Sequence, residues 1–106
     1  MRFDGHPPVV VLPHAIERMQ LRGRDTRASS AVAQGIAGEV RLAILEHRVA
    51  NHKPKAFRLY RETKGRSRLL PHQRCVWDSD EKTAWIVSRE KSGEITVITT
   101  LMRSLI

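Results

Sequence analysis

Three side chains that can carry a positive charge, His14, Arg18 and Arg22, recur at every fourth residue near the start of the chain. Residues four apart lie on one side of a helix, so the three form a single stripe if this segment is helical. The stripe combines an imidazole, which can accept a proton, with guanidinium groups, which bind phosphate oxygens. Metal-independent cleavage of an RNA phosphodiester needs such a base and such cations.

Apolar residues place this stripe at the edge of a buried face. Ala15, Ile16 and Met19 occupy the adjoining side of the predicted helix, so the cations are expected to line the seam between helix and sheet. In the first turn, the positive end of the helix and Arg18 both disfavour the imidazolium form of His14. A neutral, proton-accepting imidazole is therefore predicted. On spacing alone, a surface helix with packed arginine stems and a solvated histidine is equally consistent.

A second basic feature covers residues 53–74, which hold +7 of the formal net charge of +8. A block of one sign attracts polyanions, most often nucleic acid. We expect this segment to follow an RNA backbone, with Tyr60 on the same strand face as Arg58 and able to stack on a base. A solvated basic loop and a packed Tyr60 are the alternatives. The predicted nucleic-acid-binding residues are Lys53, Lys55, Arg58, Tyr60, Arg61, Lys64, Arg66, Arg68 and Arg74.

Two helices are predicted in the first half of the chain. The first spans about 13–22, because Pro13 has no N–H to lose in a first helical turn. The second spans about 28–51, and Pro54 prevents its continuation. Its buried face is marked by apolar residues that recur every four positions: Val32, Ile36, Val40 and Ile44.

The second half of the chain alternates with a period of two, which is typical of strands. Helices followed by hairpin-linked strands predict a single α+β domain over 1–106, with both helices on one face of a four- to five-stranded antiparallel sheet. The predicted strands span about 56–61, 67–70, 74–78, 83–89 and 94–101.

Composition excludes several classes of protein and site. No run of 18 apolar residues is present, which argues against a membrane span and predicts a protein that acts in the cytoplasm. The lone Cys75 lies in an apolar run, which predicts a buried thiol and excludes an internal disulfide. No cofactor is predicted.

Neither of two groups of potential metal ligands in the sequence favours a metal site. The histidines His6, His47, His52 and His72 do not share zinc-ligand spacing. Asp78, Asp80 and Glu81 are close in sequence and could hold a divalent metal, but their order is typical of a solvated hairpin turn. We therefore predict no metal ligand.

The run His14-Ala-x-x-Arg18-Met19-x-x-Arg22-Gly23, a second helix and a last strand rich in threonine resemble a family of small bacterial and phage domains that open with HA-x-x-R-M-x-x-R-G. That family is similar in layout to the RelE, barnase, EndoU and colicin-type ribonuclease toxins. The resemblance implies a metal-independent endoribonuclease in which His14 and Arg18 match the motif histidine and arginine. Thr99, or its neighbour Thr100, matches the family's late threonine.

Two other interpretations stay open. The chain could be a non-catalytic basic module that binds nucleic acid or an acidic protein surface, for example a phage-encoded inhibitor of a host enzyme. An acidic cognate inhibitor, such as an antitoxin or immunity protein, is a predicted partner that is compatible with the ribonuclease interpretation.

Overall fold

The computed structural model describes residues 8–22, 26–52 and 69–102. This part of the chain forms two helices and one sheet, which confirms the predicted α+β class. The helices are α1 (Pro13–Arg22) and α2 (Ser29–Leu45), and the strands are β1 (Val9–Val11), β2 (Val49–Ala50), β3 (Gln73–Trp77), β4 (Thr83–Arg89) and β5 (Ile95–Met102). The strand order across the sheet is β1-β5-β4-β3-β2.

The sheet is mixed, so the prediction of a purely antiparallel sheet is wrong. Strands β2 to β5 pair antiparallel with their neighbours, whereas β1 pairs parallel with β5, Val9 beside Ile95 and Val11 beside Val97. Three consecutive β-branched valines favour a strand. Such a short segment shows no period of its own, and its partner lies more than eighty residues away in the sequence. Local patterning therefore could not identify the pairing.

Helix α1 spans the predicted residues. The carbonyl of Leu12 accepts hydrogen bonds from the backbone N–H groups of Ala15 and Ile16, at 3.0 and 3.3 Å, and so starts the helix beside Pro13. Ala15 is fully buried, while Ile16 and Met19 are partly buried against the same core. The apolar side of α1 thus faces the sheet, as its sequence pattern indicates.

Helix α2 ends at Leu45, six residues before the predicted end at 51. His47 adopts a left-handed backbone conformation with φ of 60°. The backbone N–H of His47 donates to the carbonyl of Ile44, and the backbone N–H of Arg48 donates to the carbonyl of Ala43. These two hydrogen bonds form a Schellman motif. Val49 and Ala50 then pair with β3, so a tertiary contact overrides the helical periodicity of the sequence.

The remaining strands are close to their predicted ranges. Strands β3, β4 and β5 begin and end within one residue of the expected positions. The predicted strand at 56–61 and most of that at 67–70 lie outside the described residues, and Leu69 and Leu70 are not in a strand.

Both helices pack on one face of the sheet, and this interface forms the main core. The buried residues of that core are Ala15, Val32, Ile36, Val40, Ala43, Val76, Trp85, Val87, Ile95 and Val97. A smaller cluster on the opposite face contains Cys75, Ala84 and Ile86. Cys75 is fully buried, as predicted. Neither helix in the described part of the chain is long and apolar enough to cross a membrane.

Candidate active site at the start of helix α1

His14 and Arg18 contact each other directly on the exposed side of α1. The Nε of Arg18 donates a hydrogen bond to Nε2 of His14 at 3.1 Å. His14 is exposed and Arg18 is half-buried. The imidazole nitrogen that would take up a proton is therefore the atom that Arg18 contacts.

Two hydrogen bonds from β5 hold the turn that carries His14. The backbone N–H of Leu12 donates to the carbonyl of Val97 at 3.0 Å. The hydroxyl of Thr100 donates to the carbonyl of Ala15 at 2.8 Å, and this contact is buried. The residues on both sides of His14 are therefore fixed to the sheet, so the orientation of the imidazole depends on few rotatable bonds.

A β-bulge decides which threonine of β5 faces α1. Val97 pairs with Val87, but the next pair is Thr99 with Ile86, so Ile98 is an extra residue. Beyond the bulge, the residues of β5 that face the helices and those that face the opposite side of the sheet exchange places in the sequence. Thr100 therefore joins Val97 on the helix face, and Thr99 shares the opposite face with Ile86. The predicted site residue Thr99 therefore does not lie beside α1, whereas its neighbour Thr100 does.

The rest of the predicted stripe and most of the basic segment lie beyond what the structure describes. Arg22 is the last residue of α1, but its side chain is not described. Residues 53–68 are outside the described ranges, including Lys53, Lys55, Arg58, Tyr60, Arg61, Lys64, Arg66 and Arg68. Their proposed contact with RNA stays a prediction from charge.

Arg74 is the one predicted nucleic-acid-binding residue within the described ranges. It lies on β3, where it pairs with Val87 of β4, and its side chain is exposed. The Nη1 atom of Arg74 donates to the carbonyls of Pro71 and Gln73, at 2.8 and 2.7 Å. Arg74 is separate in the fold from α1, which packs on β5.

The acidic turn between β3 and β4 has a structural role. Asp78 Oδ1 accepts the backbone N–H groups of Lys82 and Thr83, at 2.9 and 3.3 Å. These bonds close the turn between the two strands, while Asp80 and Glu81 are exposed. Within the described ranges, no three His, Cys, Asp or Glu side chains are grouped so that they could hold a metal ion.

Sequence reasoning did not foresee how α1 is anchored. The hydrogen bond from Thr100 to Ala15 joins residues 85 positions apart. The one hint in the sequence is the pair Thr99-Thr100, which interrupts the alternation of apolar and polar residues along β5. No residue type in the sequence indicates the bulge that places Thr100 against α1.

A comparison of this chain with protein-family models, curated proteins and solved structures found no match. The interpretation of the site therefore depends on its own geometry and on the ten-residue motif around His14. The likeness of that motif to ribonuclease domains stays a prediction.

Proposed function

We propose that this protein is a metal-independent endoribonuclease with a toxin-like architecture, in which His14 is the general base and Arg18 binds the scissile phosphate. The observation that carries the proposal is the hydrogen bond between Arg18 Nε and His14 Nε2. It places an imidazole and a guanidinium in contact on the exposed side of α1, with Arg18 Nε and His14 Nε2 3.1 Å apart. These are the two groups that intramolecular cleavage of RNA requires.

The reaction uses the substrate's own nucleophile. Nε2 of His14 takes the proton of a ribose 2′-OH, and the 2′ oxygen attacks the adjacent phosphorus. The bond from phosphorus to the 5′ oxygen of the next nucleotide then breaks, leaving a 2′,3′-cyclic phosphate. The leaving oxygen takes a proton from water, and His14 releases its proton to the resulting hydroxide. Arg18 stabilises the extra negative charge on the phosphate oxygens during the attack.

The resting contact between the two residues implies an ordered sequence of events. Arg18 occupies the lone pair of Nε2 that the base needs. A phosphate carries a full negative charge and can accept two parallel hydrogen bonds from the guanidinium, so it attracts Arg18 more strongly than the imidazole does and draws it away from Nε2. Substrate binding therefore frees the base. Thr100 acts only as a positioning residue, because its hydroxyl contacts the Ala15 carbonyl.

The charge of the chain supports an RNA substrate. Residues 53–74 contain eight Lys and Arg residues against one acid, Glu62. Such a concentration of positive charge raises the local concentration of a polyanion. The proposal includes action in the cytoplasm and neutralisation by an acidic inhibitor, for which the same charge provides the complementary surface.

The test is single-turnover cleavage of a labelled RNA in excess EDTA. Wild-type protein should cut RNA and leave an all-deoxy strand of the same sequence intact, because DNA lacks the 2′-OH. The His14→Ala variant should be slower by about 10²–10⁴-fold, the usual contribution of a general base. Circular dichroism and thermal unfolding control for folding. Cleavage that requires added magnesium would contradict the proposal, as would an unchanged rate in His14→Ala.

A non-catalytic basic binding module is the second candidate, and one observation favours it. Arg18 donates a hydrogen bond to the Nε2 atom of His14 within the same helix. A pair of residues four apart can do this for a purely structural reason. Under this alternative, the wild-type protein binds RNA in low salt but leaves it uncut. Binding should then weaken steeply as salt rises, because phosphate contacts release counterions.

A further inference from the structure

A cavity of about 680 Å³ lies on the helix side of the sheet, away from His14 and Arg18. Among the described residues, Ile44 is the only α2 residue that lines it, because α2 ends one residue later. The chain turns at His47 and returns along β3 as β2, so Val49 forms another wall. The volume is within the range of about 300–1,000 Å³ that is typical of small-molecule sites.

The cavity has an apolar floor. The floor consists of aliphatic side chains from α2 and from four strands: Ile44, Val49, Val76, Val87 and Ile95. Val76, Val87 and Ile95 belong to the main core and are rigidly packed. An aliphatic surface of this kind accommodates the face of a ring, such as a nucleobase, because contact between the two removes apolar surface from water.

Cationic side chains surround this floor. Arg74, Arg89 and Lys91 line the cavity with one carboxylate, Glu90. Arg74 and Arg89 both face the helix side, because Arg74 pairs with Val87 and Arg89 with Ile95. Within the described ranges, neither Arg89 nor Lys91 has an ion pair or a side-chain hydrogen bond, so their charges are available to an anion.

Arg74 is already oriented for such a role. Its Nη1 donates to the carbonyls of Pro71 and Gln73, which fixes the plane of the guanidinium. The Nε and Nη2 atoms have no partner among the described residues and form the side edge of the guanidinium. That edge binds two oxygens of a phosphate through parallel hydrogen bonds. A preoriented fork loses less entropy on binding than a mobile side chain.

We propose that this cavity binds a nucleoside monophosphate, with the base on the aliphatic floor and the phosphate on Arg74, Arg89 and Lys91. The same chemistry is present in a free nucleotide and in the 5′-phosphorylated end of an RNA chain. The inference does not depend on the ribonuclease activity, because neither His14 nor Arg18 lines the cavity.

The C-terminal end of α2 repels an anion in the cavity less strongly than a helix end with unpaired carbonyl groups would. The C-terminal carbonyls of a helix carry a partial negative charge. Those of Leu42, Ala43 and Ile44 accept hydrogen bonds from the backbone N–H groups of Glu46, Arg48 and His47 respectively. Glu90 is the remaining repulsive group in the lining.

The test is isothermal titration calorimetry of the full chain with adenosine 5′-monophosphate, adenosine and inorganic phosphate. The monophosphate should bind at least about tenfold more tightly than either fragment, because only it engages both the floor and the fork. Arg74→Gln and Arg89→Gln should each weaken its binding by about tenfold or more. Glu90→Gln should strengthen it by a few fold, because one repulsive charge is removed.

Lys82→Gln is the matched control. It removes one positive charge from the turn before β4, the opposite end of that strand from Arg89, and should leave the affinity unchanged. A 5′-phosphorylated trinucleotide distinguishes the two possible ligands. If it binds more tightly than adenosine 5′-monophosphate, the cavity is a site for the end of an RNA chain. If it binds more weakly, the cavity is a site for a free nucleotide. Equal binding of adenosine and its monophosphate would overturn the proposal, as would equal losses in Arg74→Gln and Lys82→Gln.

Discussion

The start of α1 and the cavity beyond α2 differ in how the chain assembles them. His14 and Arg18 are four residues apart on one helix, so the helix alone brings them within hydrogen-bonding reach of each other. The cavity combines side chains from α2, β2, β3, β4, β5 and the turns beside them, so several separate segments must meet before it exists. Local geometry made the first site visible in the sequence, while the second required the assembled sheet.

The two regions also use their arginines differently. Arg18 donates to a neighbouring imidazole and must move to serve as a phosphate ligand in the proposed reaction. Arg74 donates Nη1 to two backbone carbonyls and keeps its other edge available without moving. This difference indicates a switching role at α1 and a static binding role at the cavity, and the variants below test it.

The largest expected effect is that of Arg18→Lys. A lysine keeps the positive charge but loses the planar fork, so we expect cleavage of RNA to slow by about 10²-fold, comparable to the loss of one transition-state donor. Single-turnover kinetics would measure this rate. Binding of adenosine monophosphate in the cavity should not change, since Arg18 does not line it. A rate near that of the wild type would indicate that Arg18 has only a structural role.

The next effect concerns His47, which ends α2 and so shapes the cavity. A β-branched side chain is strained at φ of 60°, so His47→Val should lower the free energy of unfolding by about 1–2 kcal/mol. His47→Gly should raise it by a smaller amount, because glycine adopts this conformation readily. Urea denaturation would measure both. The same sign of change in the two variants would contradict the assignment of His47 to the helix cap.

The smallest expected effect is that of Thr100→Val, which tests how α1 is anchored. Valine keeps the shape of threonine but cannot donate to the carbonyl of Ala15, so the free energy of unfolding should fall by about 1 kcal/mol. Thr99→Val is the matched control on the opposite face and should cost less. A greater loss in Thr99→Val would mean that the bulge in β5 does not place Thr100 against α1.

Much of the fold followed from patterns within the sequence. Helix α1 was readable because Pro13 marks its start and Ala15 and Met19 mark its buried side. Strands β3 to β5 were readable because turn residues separate them. The end of α2 could not be predicted, because Val49 fits the apolar period of a helix and also fits a position in a strand, where it pairs with Val76. Only the energy of pairing with β3 distinguishes the two.

The sequence by itself determined the spacing of His14 and Arg18, the α+β class and the concentration of basic residues in one segment. These depend on helical and strand periods or on composition, which are properties of neighbouring residues. The tertiary structure decided that β1 joins β5 in parallel, that Thr100 rather than Thr99 meets α1, and that Arg74 and Arg89 share one cavity. Each of these depends on which strands pair and in which register, and the register is set by the packing of the whole sheet rather than by any single strand.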